Sequence, residues 1–364
     1  RHECKEVVAT VDNNLVFSLF RLLDAQFEDF STREGQPPPA DTLLEKLNTV
    51  LHSQIIFACI WSFGASTDAK GREKFDSFIR QQVPLHNMKC QLPSKGSVYD
   101  YCFNHTLGWK LWMMTVPEYK MDPRTPFSKI IVPTTDTVRT KYIMDLIVTR
   151  SQHVLVVGPT GTGKTVTIQD KLMHELPEVF VPQFITFSAQ TSANQTQDIL
   201  DGKLDKRRKG VFGPPAGKKF VLYVDDTNMP AREVYGAQPP IELLRQWFDH
   251  RGWYDRKALS FMQIVDVLFV CSMGPPGGGR NPVTNRFLRH FHFLALNDMA
   301  EESLNRIFST ILGAFIEAFL PSEFKSLTPQ CVMATIRVYE AIAEGLLPTP
   351  SKSHYTFNLR DLAK

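Results

Sequence analysis

A glycine-rich segment carries the residue types and spacing that most directly suggest chemistry. Residues 158–165 read GPTGTGKT and fit the pattern G-x-x-x-x-G-K-[ST]. Backbone N–H groups of such a loop point at phosphate oxygens, and the helix that follows adds the positive end of its dipole. In this pattern the lysine reaches the β- and γ-phosphates and the threonine hydroxyl binds Mg²⁺. The predicted ATP- or ADP-binding residues are Gly158, Pro159, Thr160, Gly161, Thr162, Gly163, Lys164, Thr165 and Val166.

Two consecutive aspartates at the end of an apolar run are the candidates for metal binding and water activation. Asp225 and Asp226 follow residues 220–224, which read FVLYV. An acid at the end of such a strand, here Asp225, holds Mg²⁺ directly or through water, and Thr165 is the second protein ligand. Asp226 stands where a carboxylate would polarise the attacking water, although Asp is one methylene shorter than Glu. Lys164, Asp225 and Asp226 are thus the predicted catalytic residues; the alternative is that the aspartates are only solvated carboxylates.

Short apolar runs between helical patterns predict the elements that position these residues. The runs are rich in Val, Leu and Phe and cover residues 153–157, 184–188, 220–224, 267–271 and 292–296. Runs that are apolar throughout are typical of strands buried on both faces, and helices between them favour a parallel sheet covered on both sides. The glycine-rich segment directly follows the first run and precedes a helical pattern over residues 166–176, which is the context the motif requires. The predicted fold class is α/β, a P-loop NTPase core with a parallel sheet.

Helical patterns flank this core on both sides. The N-terminal region carries a broad apolar stripe between Leu15 and Phe27, and residues 55–63 indicate a buried helix. The C-terminal region predicts helices over residues 301–319 and 328–346. The order along the chain is therefore a helical subdomain, the α/β core and a second helical subdomain.

Composition excludes several classes of protein. The chain has 364 residues, of which 43% are hydrophobic and 22% charged, and its net charge is +3. A near-neutral balance gives no support to nucleic-acid or anionic-membrane binding, and no apolar run reaches the roughly 18 to 20 residues that span a bilayer. The charged N-terminus has neither a Met nor a signal core, which indicates a piece of a longer protein. The six cysteines are scattered without C-x-x-C spacing, as expected for reduced thiols in the cytoplasm.

Three further blocks make the chain similar to a known family. They are residues 203–215 (KLDKRRKGVFGPP), 225–230 (DDTNMP) and 274–280 (GPPGGGR). Together with the phosphate loop and the C-terminal helices, they resemble AAA+ ATPases, and more specifically the third AAA+ module of an axonemal dynein heavy chain. The resemblance implies that residues 1–125 are the helical lid and linker of the preceding module. It also implies that residues 126–297 are the large α/β subdomain and that residues 298–364 are a truncated small helical lid.

The resemblance implies further site residues. Ile131 and Val132 match the segment that lies over the adenine; the alternative is an edge strand. Arg360 matches the lid arginine that contacts the γ-phosphate. Arg286 matches the arginine finger that reaches the neighbouring module's nucleotide; the alternative is a surface salt bridge, and Arg289 is a rival for the role.

Other segments have plainer interpretations. Many AAA+ proteins have Asn after the strand at 267–271 to sense the γ-phosphate, but here Ser272 and Met273 precede Gly274, so that role is weakened or absent. Residues 274–280 are interpreted as a flexible surface loop rather than a second phosphate loop. The basic run at 206–209 is interpreted as a solvated hairpin insert rather than a nucleic-acid patch. His290 and His292 lack the further ligands that a metal site normally has.

The resemblance also implies a function and partners. It implies an ATP-binding module of a six-module ring in a microtubule motor, in which the third module gates turnover by the first. The implied partners are neighbouring AAA+ modules, microtubules through parts outside this chain, and dynein intermediate and light chains. The implied location is the cytoplasm and cytoskeleton, in the axoneme of a cilium or flagellum; no nucleic-acid or membrane partner is expected. The alternatives are a non-hydrolysing structural switch and an unrelated P-loop kinase or helicase. Arg286 and Arg360 argue against the kinase, and the near-zero charge argues against the helicase.

Overall fold

Helices and one hairpin make up the N-terminal region. The computed structural model describes residues 3–30, 46–105, 108–126, 130–347, 349–352, 355 and 357–363. The region's elements are α1 (Asp12–Gln26), α2 (Leu47–Ser62), α3 (Ala69–Leu85), β1 (Tyr101–Asn104) and β2 (Gly108–Leu111).

The apolar stripe predicted for α1 is narrower than expected. Leu15 and Leu22 are buried, but Phe17 and Phe20 are each 58% exposed. At 100° per residue, the two phenylalanines lie on the far side of the helix from the two leucines. The expectation that all of them face the core is therefore wrong for Phe17 and Phe20.

The central region alternates strands and helices. In chain order its elements are α4 (Thr135–Val148), β3 (Val154–Val157), α5 (Lys164–His174), β4 (Phe180–Thr186), α6 (Ala193–Asp201), β5 (Asp205–Arg208), β6 (Val211–Gly213), β7 (Lys219–Asp225), α7 (Pro239–His250), β8 (Gly252–Tyr254), β9 (Phe261–Ile264), β10 (Val267–Met273), α8 (Asn285–Leu288) and β11 (His292–Ala295).

Five of these strands form one parallel sheet in the order β11-β3-β10-β7-β4. The runs at 153–157, 220–224, 267–271 and 292–296 match β3, β7, β10 and β11 to within two residues, while β4 begins four residues before the run at 184–188. The predicted α/β fold class with a parallel sheet is confirmed. Every residue of β3 and β10 is buried, which explains why these runs show no alternation. Because the strands are parallel, the ends of β3, β7 and β10 meet at one edge of the sheet.

A smaller sheet contains the basic run. Its order is β5-β6-β9-β8, and β5 and β6 form an antiparallel hairpin. Within β5, Arg207 donates to the Pro214 carbonyl at 2.6 Å and pairs with Asp266 at 3.1 Å. The interpretation of this run as a hairpin insert is confirmed.

The N-terminal region packs directly on the central sheet. Phe57, Trp61 and Trp112 belong to the same apolar core as Val154 and Val156 of β3. The outer edge of β11 is covered as well, because the Ala295 N–H donates to the Ala65 carbonyl at 2.8 Å and Arg72 donates to the Ala295 carbonyl at 2.5 Å. The helical region and the α/β core are therefore joined by both apolar and polar contacts.

Helices return after β11. They are α9 (Glu301–Phe319), α10 (Thr328–Gly345) and α11 (Leu359–Leu362). The predicted helices over 301–319 and 328–346 thus coincide with α9 and, to within one residue, with α10. Among the described residues, no helix is both long enough and apolar enough to cross a bilayer.

Two histidines are buried at the start of neighbouring strands. His153 precedes β3, and its Nδ1 accepts the backbone N–H of Phe269 at 3.0 Å, while His292 begins β11 and is fully buried. Burial lowers the pKa of each imidazole to about 3. Both side chains are therefore neutral in the folded chain at neutral pH.

We expect His292→Leu to flatten the acid dependence of stability. Below pH 6.5 the unfolded chain binds a proton that the folded chain excludes until its pKa of about 3. The free energy of unfolding is therefore lost through this interval as the pH falls, by up to about 1.4 kcal/mol per pH unit for each buried imidazole. Urea unfolding at pH 7 and pH 5 should show about 2 kcal/mol less loss in the variant. Parallel losses in both proteins would contradict the assignment, and the exposed His250→Leu is the matched control.

Candidate nucleotide-binding site

The phosphate loop connects β3 to α5 through backbone conformations that glycine permits. Gly161 and Gly163 have φ values of 91° and 74°, in the region that other residues rarely adopt. A Cβ on Gly158 would lie 2.7 Å from the Leu296 carbonyl oxygen, so the loop could not pack against the end of β11 with a side chain there. Lys164 begins α5 directly after Gly163. The observed strand–loop–helix order is the one the motif needs to present its N–H groups to phosphate.

The Lys164 ammonium lies beneath this loop. Its Nζ donates to the carbonyls of Gly158 at 2.7 Å and Pro159 at 2.6 Å. The pKa of Lys164 is lowered to about 8, first by burial and then by the positive charge of Arg280, against the opposing charges of Asp226 and Asp225. A desolvated ammonium among these charges is a suitable partner for phosphate oxygens.

Hydroxyl groups on both sides orient the Asp225 carboxylate. Thr165 Oγ1 donates to Asp225 Oδ2 at 2.8 Å, and the Ser272 hydroxyl donates to Asp225 Oδ1. The Tyr223 hydroxyl lies 3.0 Å from Ser272 Oγ, which extends the network into the buried sheet. The Thr165 hydroxyl and the Asp225 carboxylate are thus adjacent oxygen donors, the ligand type that Mg²⁺ prefers.

Ser272 has a role that the sequence analysis did not find. The sequence indicates at most a weakened contact with the γ-phosphate, but the Ser272 hydroxyl is fully buried and bonded to Asp225 and Tyr223. Met273 is also buried, in the core on one face of the sheet. The sequence feature that could have indicated this role is a hydroxyl residue inside an otherwise apolar strand. A buried hydroxyl of this kind usually has a specific hydrogen-bond partner.

Asp226 differs from its neighbour in having an uncommitted carboxylate. Within the described residues its side chain has no hydrogen-bond partner, and its backbone φ is 51°. The charge of Asp226 raises the pKa of Lys164 more than that of Asp225 does. The charge of the Asp226 carboxylate thus acts on Lys164, and the carboxylate retains its acceptor capacity, as a water-orienting group must.

The C-terminal helical region reaches the phosphate loop. A Cβ on Gly161 would lie 3.2 Å from the backbone nitrogen of Leu359, at the start of α11. Asn358 Oδ1 caps this helix by accepting the Arg360 N–H at 2.9 Å. The positive charge of the exposed Arg360 also lowers the pKa of Lys164, so Arg360 influences the electrostatics of the loop.

A second arginine near the loop corrects the interpretation of residues 274–280. The glycines in the middle of this segment are exposed as expected, but Arg280 turns back and donates from Nη2 to Thr160 Oγ1 at 2.9 Å. The charge of Arg280 is the strongest electrostatic influence lowering the pKa of Lys164. The segment therefore contributes to the candidate site. In the sequence, the feature that could have indicated this was the arginine at the end of the glycine run.

The segment expected to lie over the adenine forms neither a helix nor a strand. Val132 is buried, and the Pro133 carbonyl accepts a hydrogen bond from Arg306 of α9 at 2.8 Å. Ile131 lines a cavity of about 580 Å³ whose described walls include none of residues 158–165. Val166, the residue that follows the phosphate loop, is apolar and 46% exposed to solvent. The edge-strand alternative is not observed, while the contact with adenine stays a prediction.

The two candidate finger arginines have different surroundings. Arg289 donates to Asp249 Oδ1 at 2.9 Å, within its own α/β core. Arg286 is exposed and forms no hydrogen bond or ion pair with any described residue. The short helix α8 that carries Arg286 is held from behind by Asn14, whose Nδ2 donates to the Leu288 carbonyl at 3.2 Å. Of the two, Arg286 is the one available to a neighbour.

The chemistry of the loop and of the neighbouring acids suits a nucleotide with Mg²⁺. Among the described residues there is no group of three or more His, Cys, Asp or Glu side chains arranged to hold a metal ion. Mg²⁺ commonly uses one or two protein oxygens and completes its shell with waters and substrate phosphates. The adjacent oxygens of Thr165 and Asp225, the loop backbone and the Lys164 ammonium therefore fit a nucleotide with Mg²⁺.

Comparison with known proteins gives consistent matches. The family described as P-loop containing dynein motor region matches residues 119–299, and the family described as Dynein heavy chain AAA lid domain matches residues 1–114. Dynein axonemal heavy chain 1 of Homo sapiens is 47% identical over 393 residues, covering 100% of this chain. Dynein axonemal heavy chain 12 of Mus musculus is 48% identical over 329 residues, covering 86% of this chain. The chain spans 9% of the first protein and 11% of the second.

Proposed function

The chain belongs to the dynein heavy chain family, and from this premise we propose that it is an ATP-binding AAA+ module whose slow hydrolysis regulates a motor ring. The observation that carries the proposal is the convergence of Lys164, Thr165 and Asp225 at one edge of the parallel sheet. Thr165 and Asp225 are 60 positions apart and share a 2.8 Å hydrogen bond. Chance placement of a glycine-rich turn would not bring these partners together.

Each group at the site has a distinct task in this proposal. The backbone of residues 158–165 and the Lys164 ammonium bind the phosphates, and Thr165 with Asp225 holds Mg²⁺. Bound Mg²⁺ supplies charge that offsets the negative charge of the β- and γ-phosphoryl oxygens. Asp226 orients the attacking water through its free carboxylate, and Arg360 of the lid contacts the γ-phosphate.

The finer identification is the third AAA+ module of an axonemal dynein heavy chain. It is supported by the blocks at 203–215, 225–230 and 274–280 and by the preceding-module lid proposed for residues 1–125. In this arrangement residues 126–297 are the large subdomain and residues 298–364 the small lid. Nucleotide occupancy sets the angle between them, a two-state element that neighbouring modules can sense. Arg286 then serves the nucleotide of the preceding module.

The wider assembly follows from the same identification. The partners are neighbouring AAA+ modules, microtubules bound through other parts of the heavy chain, and dynein intermediate and light chains. The location is the axoneme of a cilium or flagellum. Family membership disfavours the unrelated kinase or helicase.

The second candidate function is a non-hydrolysing structural switch. The observation that favours it is the short Asp226 side chain on a residue with φ of 51°. An Asp or Asn tolerates this left-handed backbone better than Glu does. The position therefore suits a short acid, which places its carboxylate one methylene further from the attacking water.

An Asp226 series separates hydrolysis from a structural switch. We expect Asp226→Asn to lower single-turnover hydrolysis and leave ATP binding intact, because the amide keeps the shape and backbone preference but is a poor proton acceptor. Asp226→Glu should raise the rate by extending the reach, at a stability cost of about 1 kcal/mol from the left-handed backbone. Rapid-quench assays on Mg²⁺·ATP, with thermal melting of each variant, measure both effects.

The same three proteins can also contradict the proposed role of Asp226. Equal single-turnover rates in the three proteins would make Asp226 a bystander and favour the structural switch. Calorimetric titration of the unaltered chain with Mg²⁺·ATP is the prior test, and the absence of saturable binding would overturn the proposed function itself.

A further inference from the structure

Arg280 occupies space that exists only because residue 274 is glycine. A Cβ on Gly274 would lie 2.4 Å from Arg280 Nε, 2.5 Å from Cδ and 2.7 Å from Cζ. Gly274 directly follows β10, so it lies at the position where many AAA+ proteins present a polar side chain. The guanidinium group of Arg280 fills the room that such a side chain would need.

The base of the loop is held in place on both sides of this contact. Asn228 Nδ2 donates to the Gly274 carbonyl at 2.8 Å, and the Asn281 N–H donates to the Asn228 carbonyl at 3.1 Å. Asn281 Nδ2 donates in turn to the Pro230 carbonyl at 2.9 Å. Residues 275–279 lie between these two hydrogen-bonded positions and extend toward solvent. The bonds at Gly274 and Asn281 fix the backbone on either side and so restrict the position of Arg280.

The guanidinium group is only partly satisfied by the protein. Its Nη2 bonds Thr160, while its Nε is buried and has no hydrogen-bond partner among the described residues. A buried unpaired donor of a charged group is costly unless a ligand satisfies it. Thr160, the partner of Arg280, and Lys164 both belong to residues 158–165. An anion bound by that loop would therefore offset both positive charges.

We propose that Arg280 binds the terminal phosphate of ATP from within the same chain, in the space that Gly274 leaves open. The inference rests on the proposed function and goes beyond it by giving the loop at 274–280 a task. The sheet order supports the terminal phosphate in particular, because β10 lies between the strand that carries the phosphate loop and the strand that ends at Asp225. A group beside Gly274 therefore stands between the phosphate loop and the acidic pair. Arginine suits this task because its planar fork offers several donors to one phosphate.

The proposal predicts a selective loss of triphosphate affinity. Arg280→Ala should weaken binding of a non-hydrolysable ATP analogue by about 10- to 100-fold, the range for one charged hydrogen-bonding partner, and leave ADP affinity within about twofold. Arg280→Lys should recover part of the loss, because it keeps the charge without the fork. Gly274→Ala should reproduce the selective loss by displacing the guanidinium group. Calorimetric titrations of the chain with each nucleotide and Mg²⁺ measure these affinities without any hydrolysis.

Controls distinguish this role from a structural one. Arg232→Ala removes an exposed arginine whose Nη2 donates to the Pro282 carbonyl at 2.6 Å just after the same loop, and it should leave both affinities unchanged. Thermal melting without nucleotide reports any loss of folding. Equal weakening of ATP-analogue and ADP binding by Arg280→Ala would show that Arg280 only holds Thr160 in place. No weakening would show that Arg280 does not contribute to binding. Either result overturns the proposal. If the unaltered chain binds neither nucleotide, the proposed function fails first.

Discussion

Lys164→Ala is expected to weaken ATP binding by roughly 2 to 4 kcal/mol, the range for losing one partner of a desolvated charged contact. In affinity this is about a 30- to 1,000-fold increase in Kd. The expectation has a structural basis, because the ammonium lies beneath the loop with donors directed at the carbonyls of Gly158 and Pro159. Its removal leaves the site with two nearby carboxylates and fewer cations to oppose them. ADP binding should fall as well, since the lysine serves the β-phosphate in this motif.

Calorimetric titration with Mg²⁺·ATP measures this loss directly. The matched control is Lys218→Ala, which removes a half-buried lysine that donates to the Glu178 carbonyl at the opposite end of β7 from Asp225. That control should bind ATP like the unaltered chain. Unchanged affinity in Lys164→Ala would refute the assignment of residues 158–165 as a phosphate loop.

The second large effect concerns turnover, which should rise by about 10³ to 10⁵ when a neighbouring arginine completes the site. In AAA+ rings each nucleotide is completed by an arginine from the next module. Arg286, the candidate finger of this chain, is exposed and bonded to no described residue, which suits service to another module's nucleotide. We therefore expect the chain alone to bind Mg²⁺·ATP and turn it over very slowly.

Steady-state phosphate release tests this expectation in two directions. Extending the chain through the following module should accelerate turnover, and mutating the finger of that module should reverse the gain. Arg286→Ala should leave the chain's own turnover unchanged, while Arg289→Ala controls for loss of an arginine from the same short segment. Brisk turnover by the chain alone that is lost in Arg286→Ala would mean that the arginine acts in cis or through self-assembly, contrary to the in-trans argument.

The contacts between the N-terminal region and the α/β core bear on how such modules communicate. Asn14 donates to the carbonyl of Leu288, the last residue of the helix that carries Arg286. Arg21 donates to the His290 carbonyl, two residues after that helix, at 3.3 Å. On the proposed assignment, the lid of the preceding module therefore supports the segment that presents the finger. A displacement of that lid would reach Arg286 through two hydrogen bonds and the packing of α1.

Local patterns were sufficient for the strands and the phosphate loop. Apolar runs predict the central strands β3 and β10 because an unbroken apolar stretch is stable only where both faces are covered. The strand β4 is only partly buried, and its run in the sequence is correspondingly less distinct. The loop at 158–165 follows from residue types that determine backbone conformation directly, since Gly161 and Gly163 need positive φ values. Such features depend on neighbours within a few positions of the chain, and the amino-acid order therefore contains them.

Contacts between segments that are distant in sequence determined which side chains meet at the candidate site. No periodicity indicates that β10 lies between β3 and β7, yet this order lets Ser272 orient Asp225 and lets Arg280 stand beside the phosphate loop. From Ser272 and Met273, the sequence predicts a weakened or absent contact with the γ-phosphate after β10, whereas the missing Cβ of Gly274 makes room there for an arginine six positions later. Which side chains share a site depends on strand order and on the volume left between packed groups. Those quantities arise only when segments many residues apart are brought together, and so the tertiary structure alone sets them.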